Sequence, residues 1–110
     1  MKTAISAAGT DKNASFDYRF GRCGAFHIYD DNGFVKAIEN TAATSAGGAG
    51  IAAANTVIDE GVDSVITGST GPNSFRVLSG ANIKIYRNTG LEIPNAVEEM
   101  KKGGLQEISN

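Results

Sequence analysis

Cys23 and His27 are the only cysteine and the only histidine of this chain, four positions apart in the stretch FGRCGAFHIYDD (20–31). Both side chains suit soft or borderline metals. On one strand they would face the same side yet stand about 13 Å apart, at roughly 3.3 Å per residue. A single ion sits only about 2.0–2.3 Å from each ligand, so a Cys–His chelate is not expected. His27 alternates with Ala25 and Tyr29 and reads as a sheet residue of intermediate burial. Cys23 follows Arg19 and Arg22, whose charges favour the thiolate, the form that attacks and that binds soft metals. It is the one candidate metal ligand, against the alternative of a small buried thiol.

Two glycine-rich stretches could do chemistry of another kind. GGAGIAA (47–53) formally contains G-x-G-x-x-A. A dinucleotide fingerprint, however, must turn directly from a first strand into a helix and be followed by an acidic residue closing the next strand. Neither condition holds here. TGSTGPN (67–73) lacks the Gly-Lys-Ser/Thr of a phosphate loop. What remains is two helix N-termini whose free N–H groups and dipoles can receive an anion, with tight packing turns as the alternative. No catalytic set emerges. A Ser–His–Asp arrangement needs His27 outside the sheet, Asp30 and Asp31 belong to a hairpin end, and Asp11 and Asp17 suit turn caps.

The elements that must position these residues follow from patterning. KTAISAA (2–8) reads as a first strand, bounded by Gly9, and residues 9–24 are too irregular for strand or helix. Residues 25–30 and 34–39 alternate on either side of Asp31-Asn32-Gly33, a strong hairpin signal. A small-residue loop leads into a helix over 51–61, with Ile51, Ala54 and Ile58 at helical spacing. VDSVITG (62–68) is a strand, Pro72 opens a helix ending near Gly80, and NIKIYR (82–87) is a last strand. Pro94 opens a final helix with Glu98 and Glu99 early, Lys101 and Lys102 late and Gly103 past its end, as the helix dipole prefers.

The resulting order is β-ββ-α-β-α-β-α. With right-handed crossovers, strands 1, 3, 4 and 5 run parallel and strand 2 runs antiparallel. Residues 9–23, 45–50, 68–73 and 87–90 then converge on the carboxyl edge, where open α/β sheets bind ligands.

Composition bounds the rest. The 110 residues make one domain, 1–110. Ten basic against twelve acidic residues leave a net charge of −2, which argues against nucleic acid or an anionic membrane as partner. One cysteine excludes a disulfide framework and a four-thiolate site. With no apolar run near the roughly 20 residues that span a bilayer, and no signal-peptide core, the expectation is a cytoplasmic protein.

FDYRFGRCGAFHIYD (16–30), SAGGAGIAAANTVIDEGVDSVITG (45–68) and GPNSFRVLSGANIKIY (71–86) together resemble the dinitrogenase iron–molybdenum cofactor biosynthesis family. Its members include NifX and NafY domains, the end of NifB proteins and the related orange protein. The likeness runs over about residues 2–104, and R-F-G-R, G-G-A-G and T-G-x-x-G-P-N-x-F in that order are more specific than any one motif alone. The resemblance implies an α/β fold of the ribonuclease H-like type, with a five-stranded mixed sheet flanked by helices. It also implies a non-enzymatic carrier of an anionic metal–sulfur cluster: the iron–molybdenum cofactor, its precursor, or a molybdenum-containing sulfide. Donor and acceptor proteins of cofactor assembly would be its partners. The binding residues it suggests are Arg19, Phe20, Gly21, Arg22, Cys23, Gly47, Gly48, Gly50, Gly68, Gly71 and Asn73, with Cys23 the only thiolate. The alternatives are a small-anion or nucleotide-sensing module on the same helix N-termini, and an enzyme on the same scaffold using Asp11 or Asp17.

Overall fold

In a computed structural model, which describes residues 1–109, the chain forms β1 (Lys2–Ala7), β2 (Ala25–Asp30), β3 (Gly33–Glu39), α1 (Ala49–Asp59), β4 (Ser64–Thr67), α2 (Pro72–Gly80), β5 (Lys84–Arg87), α3 (Ile93–Lys101) and β6 (Gln106–Glu107). The sheet order is β3-β2-β1-β4-β5-β6. β1, β4 and β5 are parallel neighbours, and β2 is antiparallel to both β1 and β3. The expected strand directions hold. The count does not, because β6 pairs antiparallel with β5 through Tyr86↔Glu107 and Arg87↔Gln106. The mixed sheet therefore has six strands, not five. β6 is two exposed polar residues long, too short to show a period-two pattern.

The two sheet faces follow from strand alternation. Ala4, Phe26, Ile28, Val65 and Ile85 share a core with Ala53, Ala54 and Val57 of α1 and Leu78 of α2. Ile5, Ala7, Tyr29 and Ile66 pack with Ile93, Ala96 and Val97 of α3, and Phe16 from the β1–β2 connection closes this second core. The hairpin turns at Gly33 with φ +114, a conformation only glycine adopts without strain. His27 is fully buried on the α3 face, its Nε2–H donating to the Gly9 carbonyl at 2.9 Å and its ring edge-on to Phe34 at 5.5 Å. It belongs to the scaffold. No helix among the described residues is long and apolar enough to cross a membrane.

Candidate functional site

At the carboxyl ends of β1 and β4 a buried hydroxyl pair, Ser6 Oγ and Thr67 Oγ1, lies 2.8 Å apart. Ser6 Oγ donates to the Asp17 carbonyl at 2.6 Å, while the N–H groups of Gly68 and Ser69 donate to the Tyr18 carbonyl at 3.0 and 2.9 Å. These bonds tie the β1–β2 connection to the loop after β4, so that Phe20 N–H reaches the Ser69 carbonyl at 3.2 Å. The Tyr18 ring lies across Gly68, where any Cβ would collide with it. Gly68 thus seats an aromatic side chain and leaves ligand contact to its neighbours.

Between this segment and the first turns of α1 and α2 lies an open cleft of about 350 Å³. Arg19 to Arg22 form one wall, Gly48 to Ile51 the second, and Ser69 with Gly71 to Ser74 the third. Gly48 starts α1 from a left-handed φ of +73, and Gly71 starts α2 from an extended conformation. Neither helix has a side-chain cap or an acidic residue in its first turn. Their orphan N–H groups and positive dipole ends consequently meet the cleft without a competing carboxylate. The walls touch closely: a Cβ on Gly21 would stand 3.1 Å from Gly50 Cα, and one on Gly50 would stand 3.3 Å from Ser74 Cβ. Glycine at 21 and 50 lets three main chains converge.

The two arginines serve different ends. Arg19 is largely exposed and paired with Asp17 through Nη2 at 3.1 Å and Nε at 3.2 Å. The hydrogen bond and charge of Asp17 raise the Arg19 pKa further, so this guanidinium stays a cation. Arg22 Nη1 donates to the carbonyls of Ala43 at 3.0 Å and Ser45 at 2.6 Å, fixing the loop that precedes α1. No Asp, Glu, Cys or His lines the cleft, and no group of three or more such residues comes together among the described residues. Main-chain N–H groups and guanidinium are what this cleft offers, and such donors receive anions.

The family described as dinitrogenase iron–molybdenum cofactor matches residues 1–103. The chain belongs to this family. Membership associates it with the iron–molybdenum cofactor. None of the curated proteins is significantly similar in sequence. Among solved structures, the apo form of the orange protein from Desulfovibrio gigas is 29% identical, with a TM-score of 0.91 over 99% of this chain and 93% of that one. A candidate NifB protein from Thermotoga is 31% identical, with a TM-score of 0.84 over 99% of this chain and 94% of that one. A candidate dinitrogenase from Methanocaldococcus jannaschii shares the fold at 23% identity, with a TM-score of 0.72 over 100% and 96% of the two chains.

Of the residues named from the sequence, Arg19, Phe20, Gly21, Arg22, Gly48, Gly50, Gly71 and Asn73 line the cleft. Phe20 does so with its main chain, its ring being buried against Phe26 at 5.1 Å. Gly47 and Gly68 do not line it, and residues 87–90 join residues 104–106 around a separate recess.

Cys23 needs correction. Its side chain has no exposure, its thiol lies 3.2 Å from the Phe20 carbonyl and 3.3 Å from the Ala25 carbonyl, and burial pushes its pKa up to about 12. The chain turns inward at position 23, so the sulfur does not line the cleft and burial outweighs the flanking arginines in keeping the thiol protonated. Asp11 and Asp17 are also occupied locally. Asp11 Oδ1 accepts the Asn13 N–H at 2.7 Å, and Asp17 accepts from Arg19.

One contributor had no signature in the sequence. Asn40, just past β3 and buried, donates through Nδ2 to the carbonyls of Gly21 at 3.1 Å and Cys23 at 2.9 Å. Its own N–H reaches the Gly24 carbonyl at 3.0 Å. An Asn at a strand end is an ordinary turn residue, and only the returning loop gives it this work.

Proposed function

We propose that the chain is a non-catalytic carrier that binds an anionic metal–sulfur cluster in the cleft between residues 19–22 and the N-termini of α1 and α2. The cargo is the iron–molybdenum cofactor, a precursor of it or a related molybdenum sulfide, exchanged with assembly or acceptor proteins in the cytoplasm. The observation that carries this reading is the donor set: two helix N-termini without caps and two arginines, with no carboxylate among the lining residues. A sulfide-rich anion fits such donors, because hydrogen bonds to its sulfurs and partial burial are what a protein supplies around a cluster. With no thiolate or imidazole on the walls, the cargo is held through its sulfurs and its charge, with no protein–metal bond. That mode suits release. The sheet core in the order β3-β2-β1-β4-β5, with β2 antiparallel, supports the ribonuclease H-like assignment.

Anaerobic incubation with tetrathiomolybdate or an iron–molybdenum sulfide, then gel filtration with metal and sulfide analysis, tests the reading. Retention of near-stoichiometric metal with a visible absorption band is expected. No retained metal under any condition refutes it, and a colourless protein whose melting temperature rises with a phosphate compound favours the small-anion module.

A further inference from the structure

A trans peptide is planar, with its C=O and N–H pointing in opposite directions. The direction of each N–H in residues 20–24 is therefore set by whatever holds the preceding carbonyl. The Gly21 carbonyl is held by Asn40 Nδ2 at 3.1 Å, which turns the Arg22 N–H outward. The Phe20 carbonyl lies 3.2 Å from the Cys23 thiol, which turns the Gly21 N–H the same way. The Cys23 and Gly24 carbonyls are taken by Asn40 Nδ2 and Asn40 N at 2.9 and 3.0 Å. Among the described residues the N–H groups of Gly21 and Arg22 meet no protein acceptor, and both residues line the cleft. The amide orientation of Asn40 is fixed by its neighbours. Nδ2 faces two carbonyls while Oδ1 accepts the Ala42 N–H at 3.3 Å, and the flipped amide would set oxygen against oxygen.

We infer that Asn40 is the positioning residue of the cleft, holding the Gly21 carbonyl inward so that the Arg22 N–H is presented to the anionic cargo. Asn40 touches no cargo itself. Its single side chain sets the sign of this wall, since a reversed Gly21–Arg22 peptide would present an oxygen and repel an anion. The inference rests on the reading of the cleft as a sulfide-anion site.

The test is an anaerobic 1H–15N titration of the 110-residue chain with tetrathiomolybdate, using wild type and Asn40→Asp, which keeps the shape but replaces both donors with acceptors. In wild type the amides of Gly21, Arg22, Gly50, Ile51 and Asn73 are expected to shift. In Asn40→Asp the Arg22 shift disappears, those of Gly21, Ile51 and Asn73 persist, and Kd rises about tenfold, the worth of one hydrogen bond to a charged group. If no amide shifts in wild type, the cluster reading fails and this inference with it. If Ile51 and Asn73 shift while Arg22 does not, or if folded Asn40→Asp binds like wild type, only the inference fails. Should Asn40→Asp not fold, Asn40→Ser replaces it, with an expected partial loss of the Arg22 shift. Failure of both to fold overturns the inference in favour of a purely structural Asn40.

Discussion

The Cys23 thiol is held neutral by burial, and exchanging it for serine exposes that in a pH-dependent way. Ionisation would place a charge among Phe20, Phe26 and the β2 backbone, which raises the pKa from 9.0 to about 12. The folded chain then holds this proton more tightly than the unfolded chain does. Stability is complete below about pH 9 and is lost as pH rises towards 12. At about 1.4 kcal/mol per unit, the full loss is about 4 kcal/mol, and about 2 kcal/mol of it is gone by about pH 10.5. Urea unfolding of wild type and Cys23→Ser at pH 7.5 and 10.5 measures it. Every other group is common to both chains and cancels in the difference, and a serine hydroxyl can replace the thiol as donor to the Phe20 carbonyl. The wild-type advantage over Cys23→Ser should fall by about 2 kcal/mol across that interval. An unchanged difference refutes the buried thiol, since an exposed one ionises alike in both states. The same variant should retain tetrathiomolybdate within about twofold of wild type, as only a ligating sulfur would lose more.

Other substitutions separate charge, packing and scaffold. Arg22→Gln removes a cleft cation and the bonds to Ala43 and Ser45; tetrathiomolybdate affinity should fall about tenfold and become less salt-sensitive, as followed by absorbance titration at two ionic strengths. Gly24→Ala drives a Cβ into the Ala8 carbonyl, main chain against main chain, and should cost about 3 kcal/mol in urea unfolding. His27→Leu removes the hydrogen bond to Gly9 and the edge-on contact with Phe34, so stability should fall by about 1–2 kcal/mol. Cluster retention by the same variant should be unchanged, and an appreciable loss would show that His27 matters to binding.

The strand directions and the meeting of residues 19–22, 48–50 and 71–73 are legible because hydrophobic alternation, Asn32-Gly33 and Pro72 each act locally and agree with the sheet they build, whereas residues 87–90 lie at a separate recess. β6 has no sequence signature because Gln106 and Glu107 are polar, exposed and only two in number; tertiary pairing with β5 makes them a strand. α1 starts at Ala49, two residues before the spacing of Ile51, Ala54 and Ile58 predicts, since Gly48 in a left-handed conformation opens a helix without any Ser, Thr, Asp or Asn to announce it. Arg19 and Arg22 revealed the charged edge. That Cys23 turns away from it depends on Asn40, seventeen residues distant, and on Gly24 pressed against Ala8. No local pattern carries such contacts.

A recess walled by peptide N–H groups has an unusual relation to its own sequence. Replacing Ile51 or Asn73 by alanine leaves the amide of that residue in place, so a side-chain scan of these two helix starts would be largely silent, in contrast to one of the arginines. Lineages could exchange those side chains freely while the donors stayed where they are. Only changes to the peptide unit itself, such as proline or a backbone ester at residue 22 or 51, would erase a donor outright. Apart from its two arginines, the cleft would then persist through divergence as a pattern of glycines and chain direction, with much of its recognition chemistry written in the one part of each residue that all sequences share.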